Sequence, residues 1–246
     1  MTDQQLLPPL RLLLTMLAVA GLAGCQTRPA AAPATPAVET SVRPGVNAEY
    51  LKPDLEVSKW VERFEREGRE VYDQRLKIIQ AARVRRGATV ADIGAGSGLF
   101  TLLLADAVGP QGKVFAVDIV KNFLVHIEHR AAKAGIQHVR TVLCTERSVE
   151  LPPNSIDLAY VCDVYHHFEY PHSSLASIHR ALKPGGELVV IEFKRIPGQS
   201  SEWILNHVRA GQEMFTAEIE QAGFHKVEEI ELFKENYFLR FRKAAR

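Results

Sequence analysis

The stretch from Val90 to Gly98 constrains the fold of this chain more than any other part of its sequence. Its first residues are typical of a short buried strand, and three glycines follow at alternate positions, Gly94, Gly96 and Gly98. Glycine has no Cβ, so such a turn bends sharply and lets the backbone approach a ligand closely. The apolar run that begins at Leu99 predicts a helix whose N-terminal N–H groups would point at the same ligand.

A second predicted strand, residues 113–118, ends in the carboxylate of Asp118. An acid at this place, about twenty residues after the glycine turn, can accept hydrogen bonds from both hydroxyls of a ribose. The two features together predict a site for a nucleoside-bearing cofactor. A dinucleotide site needs the spacing G-x-G-x-x-G. Here Leu99 stands where the third glycine of that pattern would be, which disfavours a nicotinamide cofactor.

The pattern D-x-G-x-G-x-G of residues 92–98 resembles motif I of the class I S-adenosylmethionine-dependent methyltransferases. The resemblance implies that the glycines lie beneath the methionine part of the cofactor, with Asp92 near its ammonium and Asp118 on its ribose. It also implies that Ile119 packs on the adenine. Many relatives carry an acid near the adenine after the third strand, where this chain has Thr145 and Glu146. The implied cofactor contacts are Asp92, Gly94, Ala95, Gly96, Gly98, Asp118, Ile119, Thr145 and Glu146.

Strands and helices alternate along most of the remaining sequence, which predicts a parallel sheet with right-handed crossovers. The predicted strands are residues 89–93, 113–118, 139–143, 156–162, 187–193, 226–232 and 237–241. The last two are separated by about four residues, so they should pair antiparallel. The family resemblance implies a Rossmann-like, doubly wound α/β sheet, mostly parallel, with seven strands in the order 3-2-1-4-5-7-6 and an antiparallel C-terminal strand.

Polar residues follow the fourth predicted strand, where ligands bind in doubly wound sheets. Asp163, Tyr165 and His166 stand there, and the resemblance implies that this loop faces the transferred methyl group and its acceptor. We therefore treat all three as candidate catalytic residues. His166 is the candidate base if the acceptor must lose a proton. The alternative is that Tyr165 only packs and that a histidine of this loop is merely exposed.

The histidines at 166, 167 and 172 raise the question of a metal site. Adjacent histidines point in different directions, and no cysteine or carboxylate completes a known ligand spacing. The sequence therefore predicts no metal site. Cys144 and Cys162 are expected at the ends of strands that two others separate, about 14 Å apart. That distance predicts free, largely buried thiols.

The segments 151–157 and 180–186 resemble the small-molecule branch of these methyltransferases, near the ubiquinone/menaquinone C-methyltransferase group. The resemblance implies transfer of a methyl group from S-adenosyl-L-methionine to a small-molecule acceptor. A formal net charge of +1 means that the chain lacks the excess of basic residues typical of nucleic-acid binding, so we expect no nucleic-acid partner.

The N-terminus predicts export. Residues 10–23 form an apolar stretch with the length of a secretory signal, and its end at Cys25 matches the bacterial lipobox. The match implies cleavage before Cys25 and lipidation of its thiol. We expect a signal peptide (1–24), an Ala/Pro-rich tether (25–53) and a methyltransferase domain (54–246), anchored by lipid on the periplasmic side of the cell envelope. The cytoplasm is the alternative location.

Export would separate the protein from the cytosol, where S-adenosylmethionine is made. The second functional hypothesis is therefore a lipid-anchored binding module on a methyltransferase scaffold, without methyl transfer. The intact glycines and Asp118 favour the enzyme.

Overall fold

The structure is a computed structural model that describes Met1 and residues 38–244, and one sheet forms the centre of this part of the chain. The strands are β1 (Thr89–Ile93), β2 (Lys113–Asp118), β3 (Val139–Leu143), β4 (Ile156–Cys162), β5 (Leu182–Phe193), β6 (Phe224–Glu229) and β7 (Asn236–Lys243). Their order is β3-β2-β1-β4-β5-β7-β6. The first five are parallel to one another, and β7 is antiparallel to both β5 and β6. The predicted Rossmann-like sheet is confirmed.

Helices cover both faces of the sheet. They are α1 (Val57–Phe64), α2 (Glu70–Asp73), α3 (Arg75–Ala82), α4 (Leu99–Val108), α5 (Lys121–Lys133), α6 (Pro171–Ala181), α7 (Glu202–His207) and α8 (Gln212–Gln221). Alternate residues of the central strands enter two separate hydrophobic clusters, one packed by α6 and α8 and the other by α3, α4 and α5. Strands buried on both faces explain why Leu188, Val189, Val190 and Ile191 form an unbroken apolar run.

The structure differs from the prediction at β5 and at α7. The fifth predicted strand starts at residue 187, after Pro184 and two glycines, but β5 begins at Leu182, which pairs with Ile156 of β4 before the register shifts. Pairing with a neighbouring strand therefore overrides the local turn signal of Pro and Gly. The sequence did not predict α7, a short helix whose start is capped by the Ser201 hydroxyl.

Residues 38–53, which the sequence assigns to the tether, are folded against the domain. The carboxylate of Glu39 accepts hydrogen bonds from the backbone N–H groups of His172 and Ser173, both at 2.8 Å, and so caps the start of α6. The ring of Tyr50 packs on Trp60 with centroids 4.5 Å apart. The compact unit thus begins at Val38 rather than at residue 54. The predicted signal peptide, Cys25 and the first part of the predicted tether lie outside the described residues.

Both cysteines of the domain are free thiols, as predicted, and each is partly buried. Among the described residues, no helix combines the length and the apolarity needed to cross a bilayer.

The docked segment makes a testable contribution to stability. A chain that starts at residue 54 should unfold at a lower temperature than one that starts at residue 38, because it loses the Glu39 cap and the Tyr50 contact. Loss of a helix cap alone costs about 1 kcal/mol. We expect Tm to fall by at least about 3 °C in thermal unfolding followed by circular dichroism. Equal Tm values would show that residues 38–53 add nothing to the folded unit.

Packing between α4 and α5 depends on Gly98. This residue has φ +81°, and a Cβ built on it would lie 2.7 Å from Cγ1 of the buried Ile127. Gly135 has φ +68° and nothing within 4 Å of such a Cβ, so it is a matched control for backbone strain alone. Gly98→Ala should therefore destabilise the protein by about 1–3 kcal/mol more than Gly135→Ala. Equal losses in denaturant unfolding would contradict this packing.

Candidate functional site

A large cavity, here called the main cavity, lies at the carboxyl ends of β1, β2, β3 and β4 and has a volume of about 1140 Å³. The end of β2 and the loops after β1, β3 and β4 supply most of its lining. The lining includes Asp92, Gly94, Ala95, Gly96, Asp118, Ile119, Thr145 and Glu146. These are eight of the predicted cofactor contacts. Gly98 is the exception, since it packs on Ile127 and does not line the cavity.

The glycine turn after β1 is held against the neighbouring strands on both sides. The N–H groups of Gly94 and Ala95 both donate to the carbonyl of Val117 on β2, at 2.8 and 3.1 Å. On the other side, a Cβ on Gly94 would lie 2.4 Å from Cγ1 of Val164. The positive φ of Gly94, +71°, and this close approach both require glycine. The turn therefore forms a fixed floor beneath the main cavity.

Asp118 presents a buried carboxylate to the same cavity. Its Oδ2 accepts from the N–H of Gly96 at 2.9 Å and its Oδ1 from the N–H of Val120 at 2.8 Å. Burial raises the pKa of Asp118 to about 6, and the bonds from Gly96 and Val120 oppose that rise. A carboxylate has about four lone-pair sites, so each oxygen can still accept one bond from a ligand. This geometry suits a pair of adjacent hydroxyls.

Asp92 lies at the floor of the main cavity and is only 3% exposed. Its Oδ2 accepts a hydrogen bond at 2.6 Å from the Thr101 hydroxyl, which is an uncharged group. Burial raises the pKa of Asp92 to about 7, the Thr101 hydroxyl lowers it, and the charge of Asp118 raises it further. A cationic group of a ligand would offset the cost of ionising the buried Asp92 and so favour its charged form. Asp92 is therefore suited to face an ammonium.

The far end of the main cavity is formed by the loops after β2 and β3. Ile119 supplies an apolar contact there, and the turn of Thr145 is closed by its N–H bond to the carbonyl of Ser148 at 3.0 Å. Burial raises the pKa of the neighbouring Cys144 to about 12, so its thiol is unreactive.

A second cavity, of about 1090 Å³, adjoins the main cavity and shares Tyr50, Phe64, Arg69, Asp163 and His167 with it. Phe64 is the last residue of α1. The sequence carried no signal for Tyr50, because its segment reaches the cavity only through tertiary contacts.

Asp163 is held between the two cavities. Its Oδ2 accepts from Nη2 of Arg69 at 2.7 Å and its Oδ1 from Nδ2 of Asn236 at 2.6 Å. Burial raises the pKa of Asp163 to about 7, and Arg69 opposes the rise. Since Asp163 has φ +52°, this loop is held in a rare conformation.

Tyr165, the second candidate of this loop, lines neither cavity. Its side chain is fully buried, its hydroxyl donates to Oε2 of Glu218 at 2.9 Å, and its ring packs on Phe215 with centroids 4.8 Å apart. The short 3₁₀ turn from Tyr165 to His167 directs successive side chains to different sides, and this one points to α8. Its placement among the catalytic candidates is therefore corrected: Tyr165 is a core residue.

His166 does line the second cavity and is only 1% exposed. Its Nδ1 lies 2.7 Å from Oε2 of Glu192, a fully buried residue of β5. Its Nε2 has no hydrogen-bond partner among the described residues. Burial, aided by the charges of Arg43, Arg209 and Arg69, lowers the pKa of His166 to about 3. The imidazole is therefore neutral near pH 7.

The two cavities together can hold two ligands side by side. The main cavity suits a ligand with a ribose and a cationic end, and the second cavity offers a neutral imidazole close to the shared Asp163. This arrangement fits transfer of a group from the first ligand to the second.

Residues 91–190 match the family model described as a methyltransferase domain. The ubiquinone/menaquinone biosynthesis C-methyltransferase UbiE of Burkholderia mallei (strain SAVP1) is 34% identical over 118 residues, which is 48% of this chain and 48% of that protein. The chain thus spans about half the length of the curated relatives it matches.

Solved structures show the same fold. An S-adenosylmethionine-dependent methyltransferase from Aquifex aeolicus has a TM-score of 0.68 at 23% identity, covering 76% of this chain and 98% of that one. The cyclase SpnF has a TM-score of 0.63 at 17% identity, covering 73% of this chain and 85% of that one. One scaffold thus carries more than one chemistry. Residues 91–190, less than half of the chain, are thus similar to a methyltransferase domain, and the solved structures share the fold of this chain.

Proposed function

We propose that this chain is an S-adenosylmethionine-dependent methyltransferase that acts on a small-molecule acceptor. One observation carries the proposal: two buried carboxylates, Asp92 and Asp118, face one cavity on either side of the glycine turn. Neither carboxylate forms a salt bridge with a described residue in the protein. A ligand with a ribose at one end and an ammonium at the other satisfies both.

The residues of the main cavity fit this cofactor along its whole length. Asp118 would hold the ribose hydroxyls, and Asp92 would lie near the ammonium of the methionine part. Ile119 would pack on the adenine, and Thr145 and Glu146 would border it. The glycine turn would lie beneath the methionine part, because a glycine backbone can approach a ligand closely.

The cofactor supplies an activated methyl group, so the chain's own residues chiefly align two ligands and exclude water. The acceptor would bind in the second cavity, whose walls include the exposed Trp203 ring and the cations Arg63, Arg66 and Arg69. This lining favours a small planar acceptor with a hydroxyl or anionic group. The relative's name refers to ubiquinone and menaquinone biosynthesis, which supports a small-molecule acceptor.

Asp163 and His166 are the proposed acceptor-side residues. Both line the second cavity, and Asp163 also lines the main cavity. Tyr165 has no part in this proposal because it is enclosed in the core.

We also propose that the mature protein is lipidated at Cys25 and anchored on the periplasmic side of the cell envelope. The lipobox at residues 22–25 supports the proposal, and residues 26–37 separate Cys25 from the compact unit. The tether is then shorter than the composition predicted, since residues 38–53 belong to the domain.

Replacing Asp118 tests the cofactor site. Asp118→Ala leaves two ribose hydroxyls poorly paired, a loss on the order of 1–3 kcal/mol. Calorimetry should show an affinity for S-adenosylmethionine at least about tenfold lower, with the Tm of the free protein not reduced. The matched control is Asp106→Ala on the exposed side of α4, which should bind like the wild type.

The pH dependence gives a second test of the same residue. Because the pKa of Asp118 is raised to about 6, its carboxylate protonates as pH falls through 6 and loses acceptor capacity. The affinity ratio of wild type to Asp118→Ala should therefore shrink between pH 7.5 and pH 5. A ratio near one at pH 7.5 would refute the assignment of the ribose site.

Lipidation is tested by metabolic labelling. Expressed in a bacterium, the protein should take up a palmitate analogue and sediment with membranes, and Cys25→Ser should abolish the labelling. Cys144→Ser is the control, because that thiol belongs to the folded domain. Unlabelled full-length protein that retains Met1 would contradict the proposal.

A further inference from the structure

Among the described residues, three imidazoles converge beside the second cavity. His166 and His167 come from the turn after β4, and His207 comes from the last residue of α7. Each histidine contributes one ring nitrogen, and these three nitrogens all lie within 4.8 Å of one another. The ring centroids are 4.2 Å apart for His166 and His167, 4.8 Å for His166 and His207, and 5.2 Å for His167 and His207.

Two nitrogens of this cluster are buried without a partner. Neither Nε2 of His166 nor Nδ1 of His167 has a hydrogen-bond partner among the described residues. An unsatisfied buried polar atom costs about 1–3 kcal/mol. Both residues line the second cavity, and their orphaned nitrogens are the atoms of the cluster that a ligand could satisfy.

Glu192 determines which nitrogen of His166 is available. Its Oε1 accepts from the N–H of Phe193 at 2.7 Å and its Oε2 from the N–H of His166 at 3.1 Å, so both oxygens act as acceptors. Nδ1 of His166 lies 2.7 Å from Oε2, so Glu192 engages Nδ1 and leaves Nε2 as the ring nitrogen available to a ligand. A carboxylate behind a histidine in this way is the usual support of a metal-ligating imidazole.

The charges around the cluster are compatible with a cation. Four arginines lie around it, namely Arg43, Arg63, Arg69 and Arg209. Two of these are neutralised in place, since Arg69 pairs with Asp163 at 2.7 Å and Arg209 with Glu218 at 2.6 Å. The carboxyl of Glu192 lies directly behind His166, and burial raises its pKa to about 7.

We propose that His166, His167 and His207 bind one divalent transition-metal ion, of the zinc type, with an open coordination position toward the second cavity. Three imidazoles and one open position are the ligand set of many catalytic zinc sites. Ligating nitrogens of a tetrahedral zinc lie about 3.4 Å apart, given bonds of about 2.0–2.1 Å. The three nitrogens lie within 4.8 Å of one another, so the rings would rotate to reach that spacing. His207 is only partly buried, which leaves it room to move.

The sequence predicted no metal site, and the third histidine considered there was His172, whereas the cluster contains His207. His172 lies on the exposed start of α6, where its backbone N–H donates to Glu39. His207 joins the cluster instead, from a helix that the sequence did not predict. It stands 40 residues after His167, far beyond the short spacings of common metal-binding motifs.

The open position would bind a hydroxyl or thiol of the acceptor, and this part rests on the proposed function. The ion lowers the pKa of such a group, so its proton passes to water and its electron pair stays on the acceptor. That pair forms the bond to the methyl carbon while the pair of the breaking S–CH₃ bond remains on sulfur.

Metal binding by the purified full chain tests the site directly. After removal of metals with EDTA, Zn²⁺ titrated against a chromophoric chelator should bind with one ion per chain. His207→Gln should weaken binding at least about tenfold, and Glu192→Gln by about 10–100-fold. The control is His172→Gln, which should match the wild type. Since a buried substitution can disturb folding, each variant's Tm is measured, and Co²⁺ absorption of the wild type reports tetrahedral nitrogen ligation independently.

Each outcome decides the proposal. No stoichiometric Zn²⁺ in the wild type, or equal affinity in His207→Gln, would overturn the metal site. Calorimetry with S-adenosylmethionine in EDTA separates this failure from that of the proposed function. Cofactor binding without Zn²⁺ binding removes the metal site alone, and would leave His166 as an unmetallated imidazole. Zn²⁺ binding without cofactor binding removes the proposed function alone.

Discussion

The site depends on the close approach between the glycine turn after β1 and the loop after β4. Val164 fills the space where a side chain of Gly94 would stand, and the carbonyl of Val117 ties the turn to β2. Three parallel strands are thereby joined at their carboxyl ends. The same contact places the main cavity on one side of the loop after β4 and lets the second cavity begin on its other side.

The strands of the parallel core could be predicted because their signal is local. β1 to β4 begin and end where the sequence predicted, since each is an apolar run bounded by turn residues. The early start of β5 depends on pairing with β4, which no local pattern contains. The docking of residues 38–53 depends on single polar and aromatic side chains, such as Glu39 and Tyr50, that composition cannot distinguish from a tether.

The cofactor side and the acceptor side of the candidate site also differ in how far the sequence could predict them. The proposed cofactor contacts lie within a few residues of strand ends, so motif and spacing could predict that eight of them line one cavity, whereas Gly98 packs on Ile127. The acceptor half is assembled from distant segments. Successive residues of the turn after β4 point in different directions, so Tyr165 enters the core while His166 meets His207 and the carboxylate of Glu192. These tertiary contacts cannot be predicted from the order of the residues in the chain.

Two buried carboxylates that await a ligand are the central element of this account. Asp92 and Asp118 both have raised pKa values because burial disfavours their charged forms. A ligand with a cationic group and a ribose would offset the free-energy cost of ionising them. Native mass spectrometry of the purified protein tests this most directly. The account predicts that S-adenosylmethionine or its demethylated product co-purifies with the wild type and is lost in Asp118→Ala. Wild-type protein that carries neither, and that binds neither when they are added in excess, would contradict it.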